Sequence, residues 1–176
     1  MPAEVDSVLV AEAAIAERVT EIGAQIGADH AGDEVTLVTV LRGGLFFLAD
    51  LARAIPLDVH LDFMAVSGYE AGAVGVVRIT KDLDDPIDGR HVIVVEDIID
   101  TGLTLNYLLR MLKARQPAGL EVCTLLDKDV RRIVDLPIAY RGFRIPDEFV
   151  VGYGLDLRGT LRNLPYVARL REEALL

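Results

Sequence analysis

Glu96, Asp97 and Asp100 set three carboxylates within five positions, directly after the four apolar residues Val92–Val95. Like charges this close repel, and burial disfavours their charged forms further. A chain keeps such a group where the acids share work, holding sugar hydroxyls or ligating a hard divalent cation directly or through water. Thr101, Gly102, Leu103 and Thr104 come next, and Leu105, Leu108, Leu109 and Leu112 then recur at helical spacing. A short glycine-containing loop that opens a helix turns backbone N–H groups outward, and the helix dipole favours an anion there. This reads as a phosphate cradle beside a carboxylate cluster. It is not a Walker loop, because no G-x-x-x-x-G-K-[ST] occurs. A plain helix cap by Asp100 or Thr101 accounts for the loop. It does not account for Glu96 and Asp97. Arg42 and Lys128 follow two other apolar runs and add fixed positive charge. Asp156 follows a third and offers a second metal position. The chemistry implied is metal-assisted work on a phosphorylated sugar, with Mg2+ bridging carboxylate and phosphate.

Other acid-bearing strand ends have different spacing. An aspartyl-phosphate phosphatase wants two Asp two residues apart, whereas Asp97 and Asp100 are three apart. A receiver domain wants an acidic pair early in the chain and an isolated phosphoacceptor, whereas these acids cluster late.

The elements that must position these groups are legible in part. "VTLVTV" (Val35 to Val40), "LDVHLDFM" (Leu57 to Met64), the run before Glu96, "LEVCTLL" (Leu120 to Leu126) and "FVVGYGL" (Phe149 to Leu155) read as strands. Ser7 to Ile26 and Leu45 to Ala54 read as helices, the second stopped by Pro56, and His60 reads as a surface or edge histidine. Ser67 to Ile79, with Gly68, Gly72 and Gly75, reads as a mobile loop with a strand-like return. Continuous apolar strands alternating with helices imply an α/β protein with a largely parallel sheet covered on both faces. Such sheets bind ligands at the carboxyl ends of their strands, where Arg42, the three acids, Lys128 and Asp156 are expected.

Composition narrows the class. The 176 residues are 52% hydrophobic and 26% charged, an ordinary globular mixture for one domain. A net charge of -10 argues against nucleic-acid partners. Cys123 is the single cysteine, which excludes an internal disulfide, and its apolar surroundings mark it as a small core residue. No run approaches the ~18 apolar residues of a membrane span and no signal pattern opens the chain, so the expectation is a cytoplasmic protein with no membrane contact.

Strand, "EDIIDTGLT" and amphipathic helix together resemble the phosphoribosyl-pyrophosphate motif of the purine phosphoribosyltransferases. "VLRGG" (Val40 to Gly44) is similar to that family's pyrophosphate loop, and "DFMAVSGY" (Asp62 to Tyr69) to the start of its lid. "TLLDK" (Thr124 to Lys128) and "GFRIPDEFVVGYGLD" (Gly142 to Asp156) are similar to its purine pocket, in the manner of the shorter bacterial 6-oxopurine enzymes. The likeness runs from about Val35 to Val167.

The resemblance implies a type I phosphoribosyltransferase fold: a Rossmann-like sheet with a small hood and a mobile lid. One domain would span 1–176, with the lid at about 67–79 and a purine-binding hood mainly from 142–176. The implied reaction is Mg2+-dependent. Hypoxanthine, and guanine, would react with 5-phosphoribosyl-1-pyrophosphate to give the nucleoside monophosphate and pyrophosphate. Glu96 and Asp97 would hold the ribose hydroxyls and stand beside the metal. Asp100, Thr101, Gly102, Leu103 and Thr104 would hold the 5′-phosphate, and Asp100 would also serve as general acid/base. Arg42, Gly43, Arg162, Ser67 and Tyr69 would bind pyrophosphate, and a non-proline cis peptide would join Leu41 to Arg42. Lys128, Phe149, Val150 and Asp156 would form the purine site, with Asp156 also a metal ligand. A homodimer or homotetramer is implied. A regulatory binding protein on the same fold and a xanthine-preferring enzyme are the alternatives. The chain departs from the pattern in three places. Gly68 separates Ser67 from Tyr69, Leu103 stands where some relatives carry Lys, and the segment after Lys128 differs around Arg132.

Overall fold

The computed structural model describes residues 1–67 and 78–175. The strands and α-helices among these described residues are β1 (Val5–Val10), α1 (Glu12–Asp29), β2 (Val35–Leu41), α2 (Leu45–Ala54), β3 (Val59–Ser67), β4 (Arg78–Lys81), β5 (His91–Ile99), α3 (Leu103–Lys113), β6 (Gly119–Asp127), β7 (Ile138–Arg144), β8 (Val150–Val151) and β9 (Val167–Leu170). Six strands form one sheet in the order β4-β3-β2-β5-β6-β7. Within it the β3–β4 pairing is antiparallel and the others are parallel. The other strands, β1-β9-β8, form a separate antiparallel sheet.

The side-chain alternation of β5 explains the layering. Ile93 and Val95 join the core built on α1 and α2 with Ile22, Phe47 and Leu51. Val92 and Val94 face the opposite way and pack with Leu105, Leu108, Leu109 and Leu112 of α3. A strand sandwiched on both faces reads as an unbroken apolar run, and "VIVV" is one. The chain winds from β2 to β3 in one direction and from β5 through β6 to β7 in the other. The sheet therefore reverses between β2 and β5, and a crevice opens beyond their carboxyl ends.

Two sequence expectations need correction. The segment from Ser7 does not begin a helix. Val5–Val10 is a strand paired with β9 (Val5 to Leu170, Val8 to Ala168), and α1 starts only at Glu12. "FVVGYGL" is not a strand of the parallel sheet. Only Val150 and Val151 are extended, and they belong to the small antiparallel sheet. Gly152, Tyr153 and Gly154 then adopt φ values of 89°, 45° and 99°, a left-handed turn incompatible with a strand. The lid expectation for Gly68, Tyr69, Gly72 and Gly75 lies outside the described residues. No described helix is long and apolar enough to cross a membrane.

Candidate active site

A cavity of about 320 Å3 sits at the reversal point and brings together Arg42, Gly43, Glu96, Asp97, Asp100, Thr101, Gly102 and Thr104. A larger one, about 550 Å3, lies elsewhere, between α1, α2 and the segment around Tyr153. It holds none of the three clustered acids, so size does not identify the chemistry.

One wall is the β2–α2 connection. The Leu41–Arg42 peptide is cis, as the resemblance implies. Thr39 Oγ1 donates to the Val95 carbonyl at 2.7 Å, tying β2 to β5 just below the loop. A Cβ on Gly43 would collide with the Asp97 carboxylate, and one on Gly44 with Thr39 Oγ1. The two glycines therefore give the carboxylate and the strand-linking hydroxyl their space. Arg42 is exposed at the rim.

The floor is the end of β5. The strand runs past the two adjacent acids to Ile99, so Glu96 and Asp97 belong to the ladder, and Glu96 is paired opposite Thr124 of β6. Burial pushes the Glu96 carboxyl well above its ordinary range, and the Asp97 charge pushes it further. Burial raises Asp97 to about 6 and Asp156 adds to the rise. The Ile98 N–H and the Arg162 guanidinium act against it. Asp97 Oδ1 accepts from Ile98 N–H at 2.8 Å. These acids sit in a desolvated place with less positive charge than their number requires.

The third wall is the turn into α3. Gly102 is its N-cap with φ 81°. A Cβ there would press on Leu136, Arg132 and Val134, so this position needs glycine for conformation and for room. Thr101 Oγ1 stands 3.5 Å from Leu103 N–H. Asp100 Oδ1 is buried without a hydrogen-bond partner among the described residues. Arg131 Nε approaches to 3.2 Å, but not in hydrogen-bonding geometry. The oxygen therefore has an ion-pair partner but accepts no hydrogen bond, and the side chain as a whole is nearly half exposed, which leaves it accessible to a ligand. Leu103 is exposed.

Lys128 sits at the end of β6, and its N–H donates to the Ile99 carbonyl at 2.9 Å. Its side chain is buried, with Asp147 the nearest carboxylate among the described residues at 3.8 Å. Phe149 is half exposed, and Val150 is buried in the main core. Asp156 lies past the left-handed turn, paired with Arg162 at 2.5 Å. Arg162 also donates to the Gly154 carbonyl at 2.7 Å. A Cβ on Gly154 would strike the Gly43 carbonyl, so this turn packs directly on the β2–α2 loop. Asp156 follows that turn rather than a parallel strand; it lies outside the cavity lining but near enough to Asp97 to raise its carboxyl. Ser67 is exposed at the end of β3, outside the cavity lining, and Tyr69 lies outside the described residues.

Sequence reasoning misses two features. Arg131 bridges toward Asp100 and Asp147, at 3.2 and 3.4 Å. Asp127, fully buried, receives both Arg132 and Arg141. Arg132 Nε also donates to the Asp100 carbonyl at 3.2 Å, so this arginine supports the loop from beneath. The only sequence signal is Asp127 itself, an acid closing an apolar strand. Its partners lie five and fourteen residues on, without any period.

The model of the phosphoribosyl transferase domain matches residues 7–158. A hypoxanthine-guanine phosphoribosyltransferase of Mycobacterium avium is 49% identical over 96% of this chain and 87% of its own. One from Streptococcus pneumoniae is 45% identical over 97% and 96%. Among solved structures, a hypoxanthine phosphoribosyltransferase of Staphylococcus aureus superposes with a TM-score of 0.94 at 42% identity, covering 98% of this chain and 95% of its own. A hypoxanthine-guanine phosphoribosyltransferase of Bacillus anthracis gives 0.90 at 46%, covering 96% and 98%. A sheet that reverses at β2/β5, an acid cluster at that reversal and likeness over nearly the whole chain have one common explanation: the chain belongs to the phosphoribosyltransferase family.

Proposed function

We propose that the chain salvages purines, converting hypoxanthine and guanine, with 5-phosphoribosyl-1-pyrophosphate, to IMP and GMP with release of pyrophosphate. The names of relatives 45–49% identical support the reaction. The observation that carries it is the crevice where Arg42, Gly43, Glu96, Asp97, Asp100 and the N-terminus of α3 converge.

The roles follow from the chemistry of the groups. The outward N–H groups at Thr101 to Thr104 receive the 5′-phosphate, aided by the α3 dipole. Glu96 and Asp97 accept from the ribose hydroxyls. Arg42, Gly43 and Arg162 hold the pyrophosphate, with Ser67 and Tyr69 contributing from the lid. The Lys128 ammonium donates to the purine 6-oxo group, Phe149 stacks on the base, and the Val150 backbone meets its edge. N9 attacks C1′ as the C1′–O bond to pyrophosphate breaks, with oxocarbenium character at C1′. Asp100 Oδ1, which accepts no hydrogen bond among the described residues, takes the N7 proton.

Glu96 and Asp97, whose carboxyls burial holds above their ordinary range, make with Asp156 an oxygen-only donor set that fits a hard divalent cation such as Mg2+. When bound, the ion supplies Lewis-acid stabilisation of the departing pyrophosphate charge. The charge of -10 supports small-molecule rather than nucleic-acid partners, and the family resemblance supports a cytoplasmic homodimer or homotetramer. The test is Mg2+-dependent pyrophosphate release with hypoxanthine, guanine, xanthine and adenine in parallel. Release with hypoxanthine and guanine is expected. Release with none identifies a binding protein, and dominance of xanthine reassigns the base.

A further inference from the structure

The opposite end of the sheet carries a second cluster that the transfer reaction does not use. His30 closes α1, Asp33 lies in the turn that follows, and His91 is the first residue of β5. One ligand atom from each lies within 4.8 Å of the others. The β2, β5 and β6 register places Val35, His91 and Gly119 side by side at the amino ends of their strands. Six steps of strand lead from His91 to Asp97, about 20 Å at ~3.3 Å each. The cluster is therefore remote from the phosphate site.

We propose that His30, Asp33 and His91 form a structural site for a borderline divalent transition ion such as Zn2+, which clamps the end of α1 to the edge of the sheet. Three details point this way beyond proximity. First, His30 Nε2 lies 2.9 Å from Glu121 Oε2. A carboxylate only accepts, so Nε2 carries the proton and neutral His30 keeps its lone pair on Nδ1. A carboxylate behind a ligating histidine is the usual outer support of such sites. Second, the His91 ring lies close against Gly119. A Cβ there would stand 3.0 Å from His91 Nδ1, so the missing side chain lets the ring settle with Nδ1 inward. Third, His91 Nε2 then faces Asp33 Oδ2 at 3.7 Å. That is too long for a hydrogen bond. It is close to the ~3.4 Å between two ligands of a tetrahedral ion held at ~2.0–2.1 Å. The two rings meet edge to face with centroids 5.5 Å apart. His30 is nearly buried while His91 and Asp33 reach solvent, so an ion has an entry path and a fourth position for water. Two imidazoles and one carboxylate select a borderline ion over Mg2+, so this site and the acid cluster of β5 do not compete for the same metal.

The experiment uses full-length, metal-stripped protein in excess Mg2+. Co2+ is titrated as a spectroscopic probe, and Zn2+ is titrated with thermal unfolding as the readout. One Co2+ per chain with the strong visible bands of a four-coordinate ion is expected. Zn2+ at ~100-fold over its Kd should raise Tm by roughly 5–10 °C. His91→Asn and Asp33→Asn, both at the surface, should abolish the bands and the Tm rise while pyrophosphate release in Mg2+ persists. His60→Ala, an exposed histidine beside Glu34, should change neither readout. His30→Gln alters a buried residue and can unfold the chain, so the two surface variants carry the test. Absence of four-coordinate bands in the unaltered protein, or their survival in both surface variants, overturns the site.

Discussion

Two neighbouring strands end in acids and treat them in opposite ways. Asp127, at the end of β6, is fully buried and receives two guanidiniums, Arg132 and Arg141. Glu96 and Asp97, at the end of β5, are deeply set and held toward their protonated forms by burial and by neighbouring acids. The first arrangement is complete within the protein. The second is completed by something the protein binds. Asp127 thus serves as an internal anchor that fixes, through Arg132, the carbonyl of Asp100. The β5 acids are left short of positive charge where, in the function proposed here, a divalent cation and the sugar hydroxyls would sit.

The sharpest break in this comparison is at Asp100, whose Oδ1 accepts no hydrogen bond among the described residues. Asp100→Asn keeps the size and removes the base. Turnover should fall roughly 10²–10⁴-fold while IMP still binds. Steady-state kinetics with nucleotide titration checks this, and a variant retaining most of its turnover removes Asp100 from proton transfer.

The next effect concerns the anchor. Asp127→Asn leaves two arginines facing a neutral group in a buried place. Loss of one partner from a buried pair costs about 3–5 kcal/mol. Arg141 is about one-third exposed and can rehydrate, which points to the lower end, about 3 kcal/mol. Urea unfolding measures it, and an unchanged midpoint would show that the two arginines do not depend on the charge.

A third effect sharpens the comparison at the neighbouring Lys128, whose ammonium is buried beside one distant carboxylate. A 6-oxo group accepts from it, whereas the 6-amino group of adenine presents donor against donor. A buried unpaired charged donor should lower kcat/KM for adenine roughly 10²-fold or more relative to hypoxanthine. Comparable rates for the two bases would show that Lys128 does not read the base.

Local patterns are legible in the sequence where one element explains itself. Leu45 to Ala54 is α2 as read, and Leu105, Leu108, Leu109 and Leu112 are all buried on α3. The parallel sheet follows from continuous apolar strands. β1 escapes such reading because Val8 and Ala11 fit a helical spacing, whereas its pairing partner lies some 160 residues away in β9. "FVVGYGL" misleads because apolar character cannot reveal that Gly152 to Gly154 turn left-handed against the β2–α2 loop. In the crevice, acids and glycines announce themselves by spacing. Arg131, Arg132 and Arg141 do not, because pairing across the sheet has no sequence period.

The claim that the β5 acids are uncompensated while Asp127 is compensated is tested most directly by Asp97→Asn. Asp97 has a folded pKa of about 6, above the ~3.9 of an unfolded chain. The folded state therefore binds more protons between these values. Its carboxylate costs nothing below about pH 4, destabilises progressively to about pH 6, and destabilises by a constant amount above. The measurement is urea unfolding of the unaltered protein and Asp97→Asn, in EDTA without substrate, from about pH 4 to about pH 8. The account predicts that Asp97→Asn becomes the more stable by about 3 kcal/mol above about pH 6 and that the gap closes toward about pH 4. Asp97→Asn less stable than the unaltered protein at about pH 7, as expected for Asp127→Asn, would contradict it.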